Sequence, residues 1–230
     1  MPITPRIFGD RGRKRAESLG IDPKRLPPGQ SPTTKWPVLD LGRQPRVPLS
    51  DWRLSIDGRV EEPTSLGYAE LTGLAQTTWT GTDIHCVTRW SQFDMSFTGV
   101  EVETLLELAR PRPEATHVLL HAYDGYTTNL PLSDILEHPA MVIHQAQGAP
   151  LSVEHGGPVR MLVPHLYLWK SAKWLNRIEL LDADRLGFWE ENGYHHRGDP
   201  WAEERYSDNE YVVKVRRREL RAAARADESQ

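Results

Sequence analysis

The sequence predicts an α+β domain of mixed β-sheets with short helices. Three observations predict it. Short β-favouring runs recur along the chain between turn residues. One stretch, Val102, Leu105, Leu106 and Ala109, repeats at i, i+3, i+4 and i+7 as an amphipathic helix does. No regular alternation of strand and long helix is present, which argues against a doubly wound parallel sheet.

Taken in order, residues 1–35 carry six prolines among many charges and are expected to form an extended or mobile arm. A single domain is expected over 36–207, opening on the apolar stretch Trp36 to Gly42. Trp52, Leu54 and Ile56 alternate with polar residues as in a half-buried strand, and Asp57-Gly58 offers a hairpin turn before Val60. Tyr68 to Leu74 reads as a short helix and Thr77 to Thr82 as a strand. The helix at Val102 must stop before Pro111, because proline cannot supply the next backbone donor. Strands are expected at Thr116 to His121, Met141 to Gln145, Val159 to Val163 and Trp174 to Leu181, with a short helix over Pro131 to Glu137. Asp124-Gly125 turns the chain, and 187–201 is an irregular aromatic segment. Residues 208–230 read as a basic, helix-favouring tail.

Net charge of −4 gives no reason to expect nucleic acid as a partner. No apolar run approaches the roughly 18 residues that a membrane span requires. Arg11, Arg13, Lys14 and Arg15 are not followed by an apolar export segment, so a cytoplasmic location is expected. A single cysteine excludes an internal disulfide.

That cysteine, Cys86, lies in Ile-His-Cys-Val-Thr-Arg-Trp-Ser at 84–91. On residue type alone it is either an inert buried thiol or a soft metal ligand or nucleophile. A second stretch, 155–174, gathers Arg160, Lys170 and Lys173 around paired glycines and the aromatics Tyr167, Trp169 and Trp174. Glycines permit close backbone approach, and Arg with Lys forms the usual clamp for a phosphate.

Together these stretches resemble the molybdopterin domain of sulfite-oxidase-like oxidoreductases, and in particular its stand-alone bacterial members. The likeness runs over roughly 36–207. It includes Phe-Thr-Gly-Val at 97–100, Gly-Tyr-Thr-Thr-Asn-Leu-Pro-Leu at 125–132, His-Gly-Gly-Pro-Val-Arg at 155–160, Leu-Tyr-Leu-Trp-Lys-Ser-Ala-Lys-Trp at 166–174, and Gly-Phe-Trp-Glu through Asp-Pro-Trp at 187–201. The resemblance implies a molybdenum ion held by one molybdopterin and by the Cys86 thiolate. It places His155, Arg160, Ser171, the Ala172 backbone and Lys173 on the pterin or its phosphate, with Lys170 in the same basic loop. Asp40 and Leu41 match a further pterin-contacting segment, and Arg89 is the candidate oxyanion-binding catalytic residue.

The activity implied is two-electron oxygen-atom transfer on a small oxyanion or sulfoxide-type molecule, with single electrons exchanged with a separate protein. Rival readings are a non-catalytic molybdopterin carrier and a cysteine hydrolase pairing Cys86 with a histidine adjacent in space. A zinc site on His85 and Cys86 is disfavoured, since neighbouring side chains of an extended segment point to opposite faces.

Overall fold

The computed structural model describes residues 6–207 and holds two β-sheets with short helices between their strands. The expected α+β architecture is what is observed.

In the first sheet the central strand is β5 (Trp90–Glu101). Along one edge it pairs antiparallel with β4 (Thr77–His85). It also pairs antiparallel with β8 (Met141–Ala146), which continues to β9 (Ala149–Pro150) and β10 (Arg160–Leu162). The two-residue strand β1 (Ser31–Pro32) lies parallel to the start of β5. Phe93, Met95 and Phe97 alternate inward along β5, the period-two pattern of a strand with one buried face. Gly99 is required where β5 crosses β8, since a Cβ there would sit 2.2 Å from the Val142 carbonyl oxygen.

The second sheet has the order β3 (Thr64–Gly67), β2 (Arg53–Gly58), β11 (Leu175–Leu181), β6 (His117–Ala122), β7 (Thr127–Pro131). Its β2–β11 pair is parallel and joins residues far apart in sequence. Val102, Leu105, Leu106 and Ala109 of α3 (Val102–Ala109) are buried against this sheet and the helix α2 (Tyr68–Gly73) that follows β3. Arg110, left-handed at φ 52, ends α3 ahead of Pro111. Burying each leucine of that face stabilises the fold by about 1.5–3 kcal/mol. Two one-turn helices complete the chain, α4 (Ser133–Leu136) and α5 (Phe188–Glu191).

Two expectations are corrected, and one strand was missed. Residues 6–32 are not extended: helix α1 (Arg6–Ser18), a 3-10 turn at Pro23–Arg25 and β1 pack onto β5, with Ala16, Leu26 and Gln30 buried. Composition hid this because the contacts are few and use small residues. A Cβ on Gly12 would meet the Gln30 carbonyl oxygen at 2.2 Å, so α1 can approach only through a glycine. The long strand β5 was not assigned from the sequence, although Phe93, Met95 and Phe97 alternate with polar residues as in a half-buried strand. Asp57-Gly58 closes β2 rather than making a two-residue turn, since β3 begins only at Thr64. The basic tail expected at 208–230 lies outside the described residues.

Candidate cofactor and active site

Cys86 sits at the tip of the β4–β5 hairpin, where the chain turns through Cys86-Val87-Thr88-Arg89. The Arg89 N–H donates to the Cys86 carbonyl at 3.0 Å, and the Cys86 N–H donates to the Trp90 carbonyl at 2.9 Å. Closing so tight a turn needs a left-handed residue, and Arg89 takes that role at φ 74. A non-glycine residue there costs about 1–3 kcal/mol and persists only when its surroundings hold it. The Cys86 thiol is 7% exposed and accepts from Thr88 Oγ1 at 3.2 Å. Burial pushes its pKa up, and Thr88 and Arg205 pull it partly back.

The thiol forms one end of a cavity of about 360 Å³, within the range of small-molecule sites. Aromatic faces make the walls: Trp169, Trp189 and Tyr194 pack in one cluster with Cys86, and Tyr126, Trp174 and Trp36 also line the cavity. Trp36 lies stacked on the His155 ring at 4.1 Å. Leu39 and Leu41 form an apolar part of the lining while remaining 52% and 42% exposed, as suits a rim that a bound group would cover.

The other end is cationic. Arg160, only 4% exposed, donates to the carbonyls of His155 at 2.9 Å and Ser171 at 2.8 Å. Among the described residues no carboxylate pairs with it, and burial lowers its pKa to about 10. Lys173 Nζ donates to the Glu154 carbonyl at 2.9 Å and lies 3.6 Å from Asp40 Oδ2. Burial, then repulsion from Arg160, lowers its pKa to about 8. The same two influences lower that of His155. Gly156, left-handed at φ 99, lets this loop close on Lys173, whose Cβ lies 2.8 Å from where a Gly156 side chain would start. Ser171 lines the cavity between the two ends, its Oγ accepting from the Val163 N–H.

Of the residues singled out in the sequence, Asp40, Leu41, Cys86, His155, Arg160, Ser171 and Lys173 meet in this one cavity. Lys170, Ala172 and Arg89 do not line it. Lys170 is fully buried and points away, pairing with Glu190 Oε1 at 2.7 Å and donating to the Asn129 carbonyl at 2.7 Å. Its position in a 3-10 turn, Leu168–Lys170, sends successive side chains to different sides. Ala172 is buried and its carbonyl accepts from the Met161 N–H. Arg89 is exposed behind the hairpin tip, its guanidinium 3.5 Å from the Gly29 carbonyl. The wall residues Trp36, Trp189 and Tyr194 were not recognised as site residues; the apolar stretch from Trp36 to Gly42 and the crowding of aromatics at 187–201 were their only signals.

A second cluster lies elsewhere: donor atoms of Asp134, His138 and His165 fall within 4.8 Å of one another. Arg197 already forks the Asp134 carboxylate, with Nε at 3.0 Å and Nη2 at 2.9 Å, so the cluster anchors the 195–199 loop.

A cavity lined by a soft thiol, by a guanidinium with no carboxylate partner among the described residues, by an ammonium and by aromatic faces suits a phosphorylated ring cofactor that carries a thiophilic metal. The family described as oxidoreductase molybdopterin binding domain matches residues 41–189. The chain is 43% identical to the uncharacterized oxidoreductase YuiH of Bacillus subtilis, over 80% of this chain and 92% of that one. It is 28% identical to the protein-methionine-sulfoxide reductase catalytic subunit MsrP of Gluconobacter oxydans, over 60% of this chain and 49% of that one. The sulfane dehydrogenase SoxCD of Paracoccus pantotrophus shares the fold at a TM-score of 0.58 and 22% identity, covering 69% of this chain and 46% of that chain. The chain thus spans nearly all of YuiH but about half the length of MsrP and of the SoxCD chain. It belongs to the sulfite-oxidase-like molybdopterin-binding oxidoreductases, and its cofactor is molybdenum with molybdopterin.

Proposed function

We propose that the protein catalyses two-electron oxygen-atom transfer on a small oxyanion or sulfoxide-type substrate, with the Cys86 thiolate as the protein's ligand to molybdenum. The observation that carries this reading is the sharing of one cavity by the sole cysteine and by Arg160, a buried cation with no carboxylate partner among the described residues. When bound, the cofactor supplies a metal that exchanges an oxygen atom and two electrons with the substrate.

The chain's own residues do the rest. Arg160, fixed by three backbone carbonyls, presents its remaining N–H edge to a phosphate without moving. Lys173 and His155 add donors on the same side. Trp36 and Trp174 offer faces for an aromatic ring system, and Asp40 holds Lys173 in place. Trp169, Trp189 and Tyr194 crowd water away from the thiol, which would be held deprotonated by a bound metal despite its raised pKa. Electrons pass singly to or from a separate protein. MsrP is named as a catalytic subunit, a parallel that supports this arrangement.

The hydrolase reading finds no support in the geometry. A nucleophilic cysteine needs an imidazole in hydrogen-bond reach. Cys86 Sγ instead accepts from Thr88, while His85 turns its Nδ1 to Ser91 Oγ at 2.8 Å, away from the cavity lining. The test is metal and pterin analysis of protein from a cofactor-competent host, with the Mo(V) paramagnetic spectrum of wild type and Cys86→Ser. One molybdenum per chain and an altered spectrum are expected. Stoichiometric zinc, or a spectrum indifferent to the substitution, overturns the proposal.

A further inference from the structure

The hairpin tip that carries Cys86 is a turn without a turn sequence. It contains no glycine, asparagine or proline, and its left-handed corner is an arginine. Such a conformation reverts unless the surrounding structure over-determines it. Three of its backbone carbonyls accept hydrogen bonds from residues outside the turn. Gln30 Nε2 donates to the Cys86 carbonyl at 3.0 Å. Arg205 Nη1 donates to the Val87 carbonyl at 2.7 Å. The Ser31 N–H donates to the Arg89 carbonyl at 3.0 Å. All three donors lie outside the matched family domain of 41–189, two in the N-terminal segment and one in the chain beyond the domain.

Both side chains are buried, Gln30 at 2% and Arg205 at 5% exposure. Each is itself held from behind. Helix α1 presses its Gly12 against the Gln30 carbonyl. Arg205 lies over the Tyr167 ring at 4.9 Å and also donates to the Pro28 carbonyl at 3.3 Å, which ties the two flanking segments together. Tyr167 in turn bridges the backbone of His85, the residue before the cysteine.

We propose that Gln30 and Arg205 are positioning residues for the reaction: a clamp made by the segments flanking the domain, which fixes the direction of the Cys86 Cα–Cβ bond and so aims the thiol into the cavity. The clamp acts on the carbonyls either side of Val87, so loosening it rotates the thiol while Arg160 and Lys173 keep their own bonds to the His155, Ser171 and Glu154 carbonyls. This rests on the reading of Cys86 as the metal ligand.

The test uses the full-length holoenzyme. Gln30→Met keeps the volume of the side chain and removes its donor. Arg205→Lys keeps the charge and leaves a single donor group where a fork spanned two carbonyls. Molybdenum content per chain should match wild type in both, because the phosphate clamp is intact. The g-values of the Mo(V) signal and the midpoint potential should shift, and turnover in the double variant should fall about 10²-fold, the loss expected from misplacing a reacting group by about 1 Å. Variants that lose thermal stability yet keep the wild-type signal and potential would overturn the clamp and leave Gln30 and Arg205 as packing. Cys86→Ser is measured beside them: if it alone changes the signal, the clamp fails and the ligand assignment stands, whereas no change in any variant removes both.

Discussion

The two ends of the cavity are built in opposite ways. The cationic end comes from one run, residues 153–174, that folds back on itself. Arg160 bonds the carbonyls of His155, Met161 and Ser171, Lys173 bonds that of Glu154, and the Trp174 N–H bonds that of Gly156. The thiol end is assembled from four places distant in sequence: Gln30, the 86–89 turn, Tyr167 with Trp169, and Arg205. An anion clamp needs charge and backbone carbonyls, which a single loop supplies. Holding a strained turn in one orientation needs partners on several sides, which only distant segments provide.

The sharpest way to break this contrast is at the sulfur. Cys86→Ser is nearly isosteric and leaves the cationic end untouched, so most of the cofactor should remain. Turnover should fall by orders of magnitude, because a harder oxygen ligand changes the metal's electronics. Comparable molybdenum occupancy with comparable turnover would mean that the two ends do not divide the work in this way.

Lys170→Ala tests whether the basic residue that left the clamp is structural. It strands the Glu190 carboxylate, which also accepts from Thr128 Oγ1 at 2.9 Å and Trp169 Nε1 at 2.8 Å. Removing one partner of a buried ion pair costs about 3–5 kcal/mol. Chemical denaturation should show that loss, while folded protein keeps its molybdenum. A stable variant lacking cofactor would return Lys170 to the site.

Arg160→Ala removes the one buried cation that, among the described residues, has no carboxylate of its own. Loss of a charge-assisted partner to a buried anion costs about 2–5 kcal/mol of binding, so the variant should purify largely without molybdenum. Full occupancy would show that the phosphate is held elsewhere.

The smallest effect expected is in pH. Burial and Arg160 hold the Lys173 pKa at about 8. A phosphate prefers the protonated lysine, so binding takes up a proton where Lys173 is neutral. Cofactor affinity should therefore be flat below about pH 8 and weaken above it, by up to about tenfold per pH unit. Lys173→Met should abolish that slope and lower affinity at neutral pH. A slope that survives the substitution assigns it to another group.

The same contrast marks how far the sequence could be read. His155, Arg160, Ser171 and Lys173 were legible because charges, paired glycines and aromatics fall in one short stretch, and their neighbours in space are largely their neighbours in the chain. The helix at Val102 was legible for a like reason, its apolar period being local. Lys170 misled because a 3-10 turn rotates successive side chains apart, and residue type does not say which of two nearby lysines faces the ligand.

Cys86 was recognisable as the one thiol in the chain, but its seat at a hairpin tip was not, since the turn has none of the residues that signal one. The segment before residue 36 read as an extended arm because proline and charge dominate it. What folds it are a glycine contact, a two-residue strand and one glutamine amide, none of which has a sequence period. The sequence by itself pointed to the cofactor chemistry through its resemblance to the sulfite-oxidase-like molybdopterin domain, while residue type alone left Cys86 between an inert thiol, a soft ligand and a nucleophile. Only the tertiary structure decided how the thiol is aimed, because that direction is set by hydrogen bonds to backbone carbonyls, groups that every residue carries and that no sequence can distinguish.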